Sequence, residues 1–189
     1  RKKKSLRASE QEREDVQKER AEFFEKLEGV SPKDIVVLDE SGTNTAMTRP
    51  YARSEKGTRA YGSAPQNWGK NITMLGAIGL TGVLTGLIID GAMDGQIFLA
   101  FVEQWLAPLL RPGQVVIMDN LSVHKVAGVK EAIEGAGAKL LYLPPYSPDL
   151  SPIEPMWSKI KTFLRGVGAR ARELLQKAIS SAFKTVTCK

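Results

Sequence analysis

Cysteine and histidine are the scarcest residues in this chain of 189 residues, and each occurs once, as Cys188 and His124. A lone cysteine excludes an intrachain disulfide and a zinc site built from cysteines. A lone histidine excludes a multi-histidine metal centre, and any Ser-His-Asp chemistry would depend on His124. If the protein is an enzyme, we therefore expect its chemistry to rest mainly on other side chains.

Long apolar segments are also missing, with one exception. Residues 71–89 carry no charge over 19 residues, which approaches the length of a membrane-spanning helix. The turn-like sequence Gly79-Leu80-Thr81-Gly82 lies at its centre, so two buried strands joined by a tight turn explain it better than a span. Charge at Arg1–Lys4 without an apolar run behind it predicts no signal peptide. We expect no membrane partner.

Basic residues are concentrated near the end of the chain. The whole chain has 27 Lys and Arg against 21 Asp and Glu, a net charge of +6. Residues 159–189 hold eight basic residues and one acidic residue, a net charge of +7, so the remainder is nearly neutral. This asymmetry fits either a polyanionic partner or a solvated helix face.

The distribution of charge and apolar residues predicts two parts. Residues 1–33 are predicted to be a charged, solvated linker helix, which Gly29 and Pro32 would end. Residues 34–189 alternate short apolar runs with amphipathic stretches, which predicts an α/β fold with a mixed sheet and helices on both faces. Strands are predicted at 35–38, 72–79, 83–89, 114–118 and 139–143, and helices at 94–110, 122–134, 151–164 and 170–185.

A long segment without periodicity, residues 41–70, separates the first two predicted strands. Loops of this length inside a compact domain are usually functional. We expect this basic loop to pack poorly on its own core and to contact a polyanionic partner or a second protomer, since basic and aromatic residues interleave in it. Its basic residues include Arg49, Arg53, Lys56 and Arg59, and its aromatic residues are Tyr51, Tyr61 and Trp68.

Two of the predicted strands end in an aspartate. Asp39 follows the run at 35–38, and Asp119 follows the run at 114–118. Side chains at the carboxyl ends of central strands lie where α/β sheets place their sites. Oxygen-rich clusters of this kind often hold a divalent cation, and Mg²⁺ takes one or two carboxylates from the protein.

Glu154 is a third candidate acid, and two interpretations remain open from the local sequence. Ser151-Pro152-Ile153-Glu154 fits a capping box, in which Glu154 would reach back to the helix cap. The alternative is a catalytic carboxylate at the start of a helix. Asp149 is a rival acid, but its Pro-rich surroundings indicate a turn residue.

Three segments together resemble the DDE catalytic domain of bacterial insertion-sequence transposases related to the Tc/mariner superfamily. The spacing of 34 residues between Asp119 and Glu154 is typical of many members of that group. The resemblance covers residues 34–185, and its most specific part is a Pro-rich loop that leads to a glutamate on a helix. The segments are Asp39–Gly42, Met118–Lys125 and Tyr146–Trp157.

The resemblance implies a ribonuclease-H-like fold, with a five-stranded mixed sheet whose second strand is antiparallel. It implies that Asp39, Asp119 and Glu154 are the catalytic triad and the ligands of two Mg²⁺ or Mn²⁺ ions. Two such ions can neutralise the attacking and leaving oxygens of a phosphodiester. Asn120 and His124 are candidates for supporting the triad, although a purely structural role is the simpler explanation for His124.

The same resemblance implies partners and a location. The expected partner is double-stranded DNA, both transposon ends and target, bound by a homodimer in the bacterial cytoplasm at the nucleoid. Besides the basic loop, we expect phosphate contacts from the C-terminal helices, at Lys159, Lys161 and Arg165. Two alternatives remain open: a structure-specific nuclease of the same fold, and a catalytically inactive DNA-binding remnant of a transposase.

Overall fold

The structure, a computed structural model, describes residues 8–187. Its centre is a five-stranded sheet in the order β3-β2-β1-β4-β5. Strand β2 runs antiparallel to β1 and β3, whereas β4 and β5 run parallel to β1. The strands are β1 (Ile35–Thr43), β2 (Ile72–Gly79), β3 (Gly82–Asp90), β4 (Val115–Met118) and β5 (Lys139–Tyr142).

Five α-helices cover the two faces of the sheet, so the predicted mixed sheet and ribonuclease-H-like architecture are confirmed. Side chains alternate across each strand, and the successive residues Val36 and Val37 enter different cores. Val37 faces α1, α4 and α5, and Val36 faces α2 and α3. The helices are α1 (Glu14–Leu27), α2 (Gly95–Phe101), α3 (Val129–Gly135), α4 (Ile153–Val167) and α5 (Arg172–Lys184).

Helix α1 differs from the predicted solvated linker. Val16 and Phe23 are buried, and Phe23 joins the core formed with α4 and α5. Arg20 forms an ion pair with Asp149 at 2.8 Å, which ties α1 to the Pro-rich loop. Its few apolar residues are too widely spaced to indicate docking from the sequence. A domain boundary at residue 33 stays a prediction.

Two predicted helices are interrupted. The segment predicted as one helix over 94–110 begins as α2, continues as a π-helix at Val102–Leu106 and ends as a 3₁₀ turn. The segment over 122–134 is a 3₁₀ turn at Ser122–Lys125 followed by α3. Gly128 separates the two parts with a φ of 98°, a left-handed conformation that breaks the helix. Among the described residues, no helix is long and apolar enough to span a membrane.

Strand β1 is longer than its apolar run. Its antiparallel pairing with β2 continues to Thr43 and Ile72, so the connecting loop begins after Thr43 rather than at residue 41. Tyr51 and Tyr61, in this loop, are both 88% exposed. The loop is anchored at its base, where the Arg170 guanidinium donates to the carbonyls of Thr45 and Met47.

Candidate active site

The three predicted acids line one cavity. Asp39, Asp119 and Glu154 all contribute to a cleft of about 590 Å³ that the Pro-rich loop borders on one side. Asp39 comes from β1, and Asp119 directly follows its parallel neighbour β4. Glu154 lies in the first turn of α4. The parallel pairing of β1 and β4 carries both aspartates to the same edge of the sheet.

Asp39 is largely enclosed. It lies inside β1 rather than after it and pairs with Gly76 of β2. The indole N–H of Trp157 donates to Asp39 Oδ2 at 2.9 Å. Burial raises the pKa of Asp39 to about 7, and the negative charges of Glu40 and Asp119 add to the rise. A cation near Asp39 would therefore strongly favour the ionised form of its carboxylate.

Asp119 has the opposite electrostatic setting. His124 is fully buried, and its Nδ1 lies 2.6 Å from Asp119 Oδ1. Its Nε2 lies 2.9 Å from Glu40 Oε2. Burial by itself lowers the pKa of His124, but the hydrogen bonds to Asp119 and Glu40 outweigh it and raise that pKa to about 9. The ring is therefore a cation at neutral pH that bridges two carboxylates.

The cation acts in turn on Asp119. Burial raises the pKa of Asp119, but the hydrogen bonds from His124 and from the backbone N–H of Leu121 outweigh burial. The pKa of Asp119 is therefore below its ordinary value. The lowered pKa keeps Asp119 ionised at neutral pH. Asn120 lines the same cavity beside it.

The capping box that was one of the two interpretations of Glu154 does not form at the start of α4. Pro152 is the N-cap residue, and no side chain caps the helix there. Helix α4 begins at Ile153, so Pro152 and not Ser151 is the N-cap residue. The side chain of proline has no oxygen that could cap the helix. Glu154 is exposed and borders the cavity, so its carboxylate is not engaged as a cap.

The donor set fits a hard divalent cation. Carboxylate oxygens are the ligands that Mg²⁺ and Mn²⁺ prefer, and Asp119 is close enough for its charge to raise the pKa of Asp39. Within residues 8–187, no three His, Cys, Asp or Glu side chains are arranged to hold one ion together. Mg²⁺ needs only one or two protein carboxylates, and Asp39, Asp119 and Glu154 all line the cavity.

Two residues of the site were missed by the sequence analysis. Glu40 directly follows Asp39 in the sequence, and in the structure it shares His124 with Asp119. Trp157 is buried, and its indole also contacts Asp39. One signal was available for Trp157, because a buried indole N–H usually finds an acceptor.

The predicted DNA-contacting residues lie away from the core. Arg49, Arg53, Lys56 and Arg59 are exposed in the loop between β1 and β2. On α4, Lys161 and Arg165 are half-buried, and the Lys159 ammonium donates to the carbonyl of Thr185.

Comparisons with known proteins agree with this geometry. Residues 34–176 match the family described as DDE superfamily endonuclease. Over 85 residues the chain is 33% identical to the transposable element Tcb2 transposase of Caenorhabditis briggsae, covering 43% of this chain and 31% of that protein. The chain spans about a third of the length of the curated relatives it matches.

Solved structures show the same fold at low identity. The Mos1 mariner paired end complex with Mn superposes with a TM-score of 0.74 at 18% identity, covering 100% of this chain and 61% of that chain. The catalytic domain of Mos1 mariner transposase superposes with a TM-score of 0.65 at 14% identity, covering 96% and 86% respectively. The match to the family over residues 34–176 covers most of the sequence, and the chain therefore belongs to the DDE superfamily of endonucleases.

Proposed function

We propose that this chain is the catalytic domain of a DNA transposase, and that Asp39, Asp119 and Glu154 are its catalytic triad. The observation that carries the proposal is the convergence of these three acids on one cleft in a chain of the DDE endonuclease family. The reaction is cleavage of a DNA strand followed by strand transfer. In cleavage, water attacks the phosphorus and the P–O3′ bond breaks, which leaves a 5′-phosphate and a 3′-OH. In strand transfer, this 3′-OH attacks a phosphorus of the target, and the 3′-oxygen of the target strand leaves.

Two Mg²⁺ or Mn²⁺ ions are the proposed cofactors. Asp39 and Asp119 would hold one ion between them, and Glu154 would complete the site of the second. When bound, such a pair neutralises charge on the attacking and leaving oxygens of an in-line displacement. The Mos1 mariner paired end complex was solved with Mn, which supports a divalent metal here.

The chain itself prepares the site for this charge. Asp119 is kept ionised by the buried imidazolium of His124, whose second nitrogen is held by Glu40. This pairing orients His124, and it limits the rotation of Asp119. Supporting hydrogen bonds of this kind orient metal ligands and raise metal affinity. Asn120 borders the cleft beside Asp119.

Double-stranded DNA, as transposon ends and target, is the proposed partner. The exposed basic residues of the β1–β2 loop and the basic residues of α4 supply phosphate contacts, which give affinity without sequence information. A homodimer on DNA is supported by the paired end arrangement named for Mos1. A bacterial nucleoid location stays a prediction.

The substitution Glu154→Gln tests the triad. Because Glu154 is exposed and caps nothing, we expect an unchanged melting temperature and no Mg²⁺- or Mn²⁺-dependent strand cleavage. Glu173→Gln is the matched control, an exposed glutamate in the first turn of α5. Cleavage by Glu154→Gln at the parent rate would exclude Glu154 from the site and make Asp149 the next acid to test.

A further inference from the structure

Trp157 has a contact that packing alone does not require. It lies on α4, three residues after Glu154, and is 2% exposed. Its indole N–H donates to Asp39 Oδ2 at 2.9 Å. The other two tryptophans, Trp68 and Trp105, are 47% and 41% exposed. Trp157 is therefore the buried indole that joins the helix of one proposed catalytic acid to the strand of another.

The sheet leaves room for this ring at one position. Gly76 of β2 lies directly opposite Asp39 in the antiparallel pairing. A Cβ atom at Gly76 would lie 3.1 Å from Cη2 of Trp157, which is tighter than ordinary van der Waals contact. The absence of a side chain at residue 76 thus allows the indole to lie against β2, beside the Asp39 carboxylate.

Phe183 also packs against the indole, beside Gly76. The ring of Phe183, from α5, meets Trp157 edge-on, with centroids 6.1 Å apart and planes at 69°. Gly76 and Phe183 together contact the buried indole and restrict its position. Its N–H can only donate, so a fixed indole holds one oxygen of Asp39 in place and limits rotation of the carboxylate.

We propose that Trp157 is a positioning residue for Asp39, and that Gly76 is required because it gives the indole its place. The inference rests on the proposed function, in which Asp39 binds a divalent metal. By holding Oδ2, Trp157 presents the Asp39 carboxylate in one orientation, and it fixes the distance between β1 and the helix that carries Glu154. The indole N–H donates its hydrogen bond to Asp39, so Trp157 acts through that ligand rather than on DNA.

Trp157→Phe removes the donor and keeps an aromatic ring. We expect Mn²⁺ to bind about 10–100-fold more weakly, the range typical when a partner of a metal ligand is lost. Binding is measured on the whole chain by the electron paramagnetic resonance signal of free Mn²⁺. The Mn²⁺ concentration for half-maximal plasmid nicking should rise by a similar factor, with nicking largely recovered at saturating Mn²⁺. Ile160→Val, a buried change one turn along α4, controls for loss of packing.

An isosteric replacement separates the hydrogen bond from the ring. In the variant Trp68→Phe/Trp105→Phe, Trp157 is the one remaining tryptophan of the three in the chain. Biosynthetic incorporation of β-(benzothiophen-3-yl)alanine then replaces the N–H at residue 157 by sulfur with the ring shape kept. We expect the melting temperature of the tryptophan-containing protein and the weak Mn²⁺ binding of Trp157→Phe.

Gly76→Ala tests the second half of the inference. The added methyl group should displace the indole and weaken Mn²⁺ binding in the same direction as Trp157→Phe. Gly79→Ala is the matched control on the same strand, because a Cβ there meets its nearest neighbour at an ordinary 3.6 Å. We expect parental Mn²⁺ binding for Gly79→Ala.

The outcomes distinguish this inference from the proposed function. The proposed function is supported if the parent binds Mn²⁺ and loses that binding in Glu154→Gln or Asp119→Asn. If Trp157→Phe and the isosteric replacement then bind Mn²⁺ as the parent does, Trp157 is only a core residue and the inference is wrong. If the parent neither binds Mn²⁺ nor nicks DNA, the proposed function fails and the inference fails with it. Weak binding in Ile160→Val equal to that in Trp157→Phe would also overturn the inference.

Discussion

Asp39 and Asp119 come from similar sequence and end in opposite surroundings. Each follows a short apolar run, and the two runs form neighbouring parallel strands. Asp39 is held by a neutral indole, and burial raises its pKa to about 7. Asp119 touches a buried imidazolium, and its pKa is lowered.

Two aspartates at the same edge of the sheet thus differ in how strongly the protein stabilises their ionised forms. Asp119 brings a permanent negative charge, stabilised by His124 whether or not a metal is present. Asp39 brings a charge that the protein itself stabilises poorly, so a bound cation supplies most of its stabilisation. In the proposed site, a metal bound at Asp39 would therefore favour the ionised form of that carboxylate.

The largest expected effects separate the two aspartates directly. Asp39→Asn and Asp119→Asn should both abolish metal-dependent cleavage, since each removes a proposed ligand. Their stabilities without metal should change in opposite directions. At pH 8, above the raised pKa of Asp39, the amide replaces an unfavourable buried charge, and we expect a higher melting temperature.

Asp119→Asn should instead lower the melting temperature at pH 8, because His124 loses a charged partner, at a cost of about 1–3 kcal/mol. The sign of the effect at Asp39 follows from its raised pKa. A carboxylate whose pKa is raised in the folded state lowers the stability of the fold as the pH rises from about 4 to 7. The increase in melting temperature caused by Asp39→Asn should therefore disappear toward pH 4. Thermal unfolding at pH 4 and pH 8 measures both; equal shifts for the two variants would contradict the comparison.

The next largest effect concerns His124, the buried imidazolium that contacts Asp119. His124→Gln keeps a polar side chain but removes the charge shared by Asp119 and Glu40. We expect metal affinity and cleavage to fall about 10–100-fold, as for other residues that support metal ligands. Titration of cleavage against Mn²⁺ measures this. Parental Mn²⁺ dependence in His124→Gln would show that the imidazolium is structural only.

Much of this arrangement follows from the sequence, and the rest depends on tertiary contacts. The apolar runs located all five strands, and the two aspartates that follow apolar runs line one cavity with Glu154. The length of β1 was missed because its polar half, Glu40–Thr43, is a strand only through pairing with β2. The partners of Asp39 and Asp119 were missed for a similar reason. Trp157 is 118 residues from Asp39 in sequence, so the contact exists only once α4 packs on the sheet.

A smaller effect separates DNA binding from the chemistry of the two aspartates. Arg53→Glu/Arg59→Glu reverses two exposed charges of the β1–β2 loop. We expect weaker DNA binding and a salt dependence whose logarithmic slope is shallower by about 2, with Mn²⁺ binding unchanged. Fluorescence anisotropy with labelled duplex at several salt concentrations measures it. Parental DNA binding at every salt concentration would show that the loop is only structural.

The smallest effect concerns an ion pair outside the aspartate pair. The hydrogen bond from Arg20 lowers the pKa of Asp149, so this pair stabilises α1 above pH 4 and loses that effect in acid. Asp149 is 41% exposed, so we expect Arg20→Gln to cost less than about 1 kcal/mol at pH 7. The cost should vanish near pH 2. Arg13→Gln, which breaks a pair within α1, is the control; a cost that persists at pH 2 would assign the effect of Arg20 to packing.

A crystal structure with Mn²⁺, located by anomalous scattering, tests the central claim most directly. The account predicts one ion between the carboxylates of Asp39 and Asp119 and a second beside Glu154. It also predicts that Trp157 still donates to Asp39 Oδ2 and that His124 still contacts Asp119. Mn²⁺ bound elsewhere, with Asp39 and Asp119 facing each other without an ion, would contradict it.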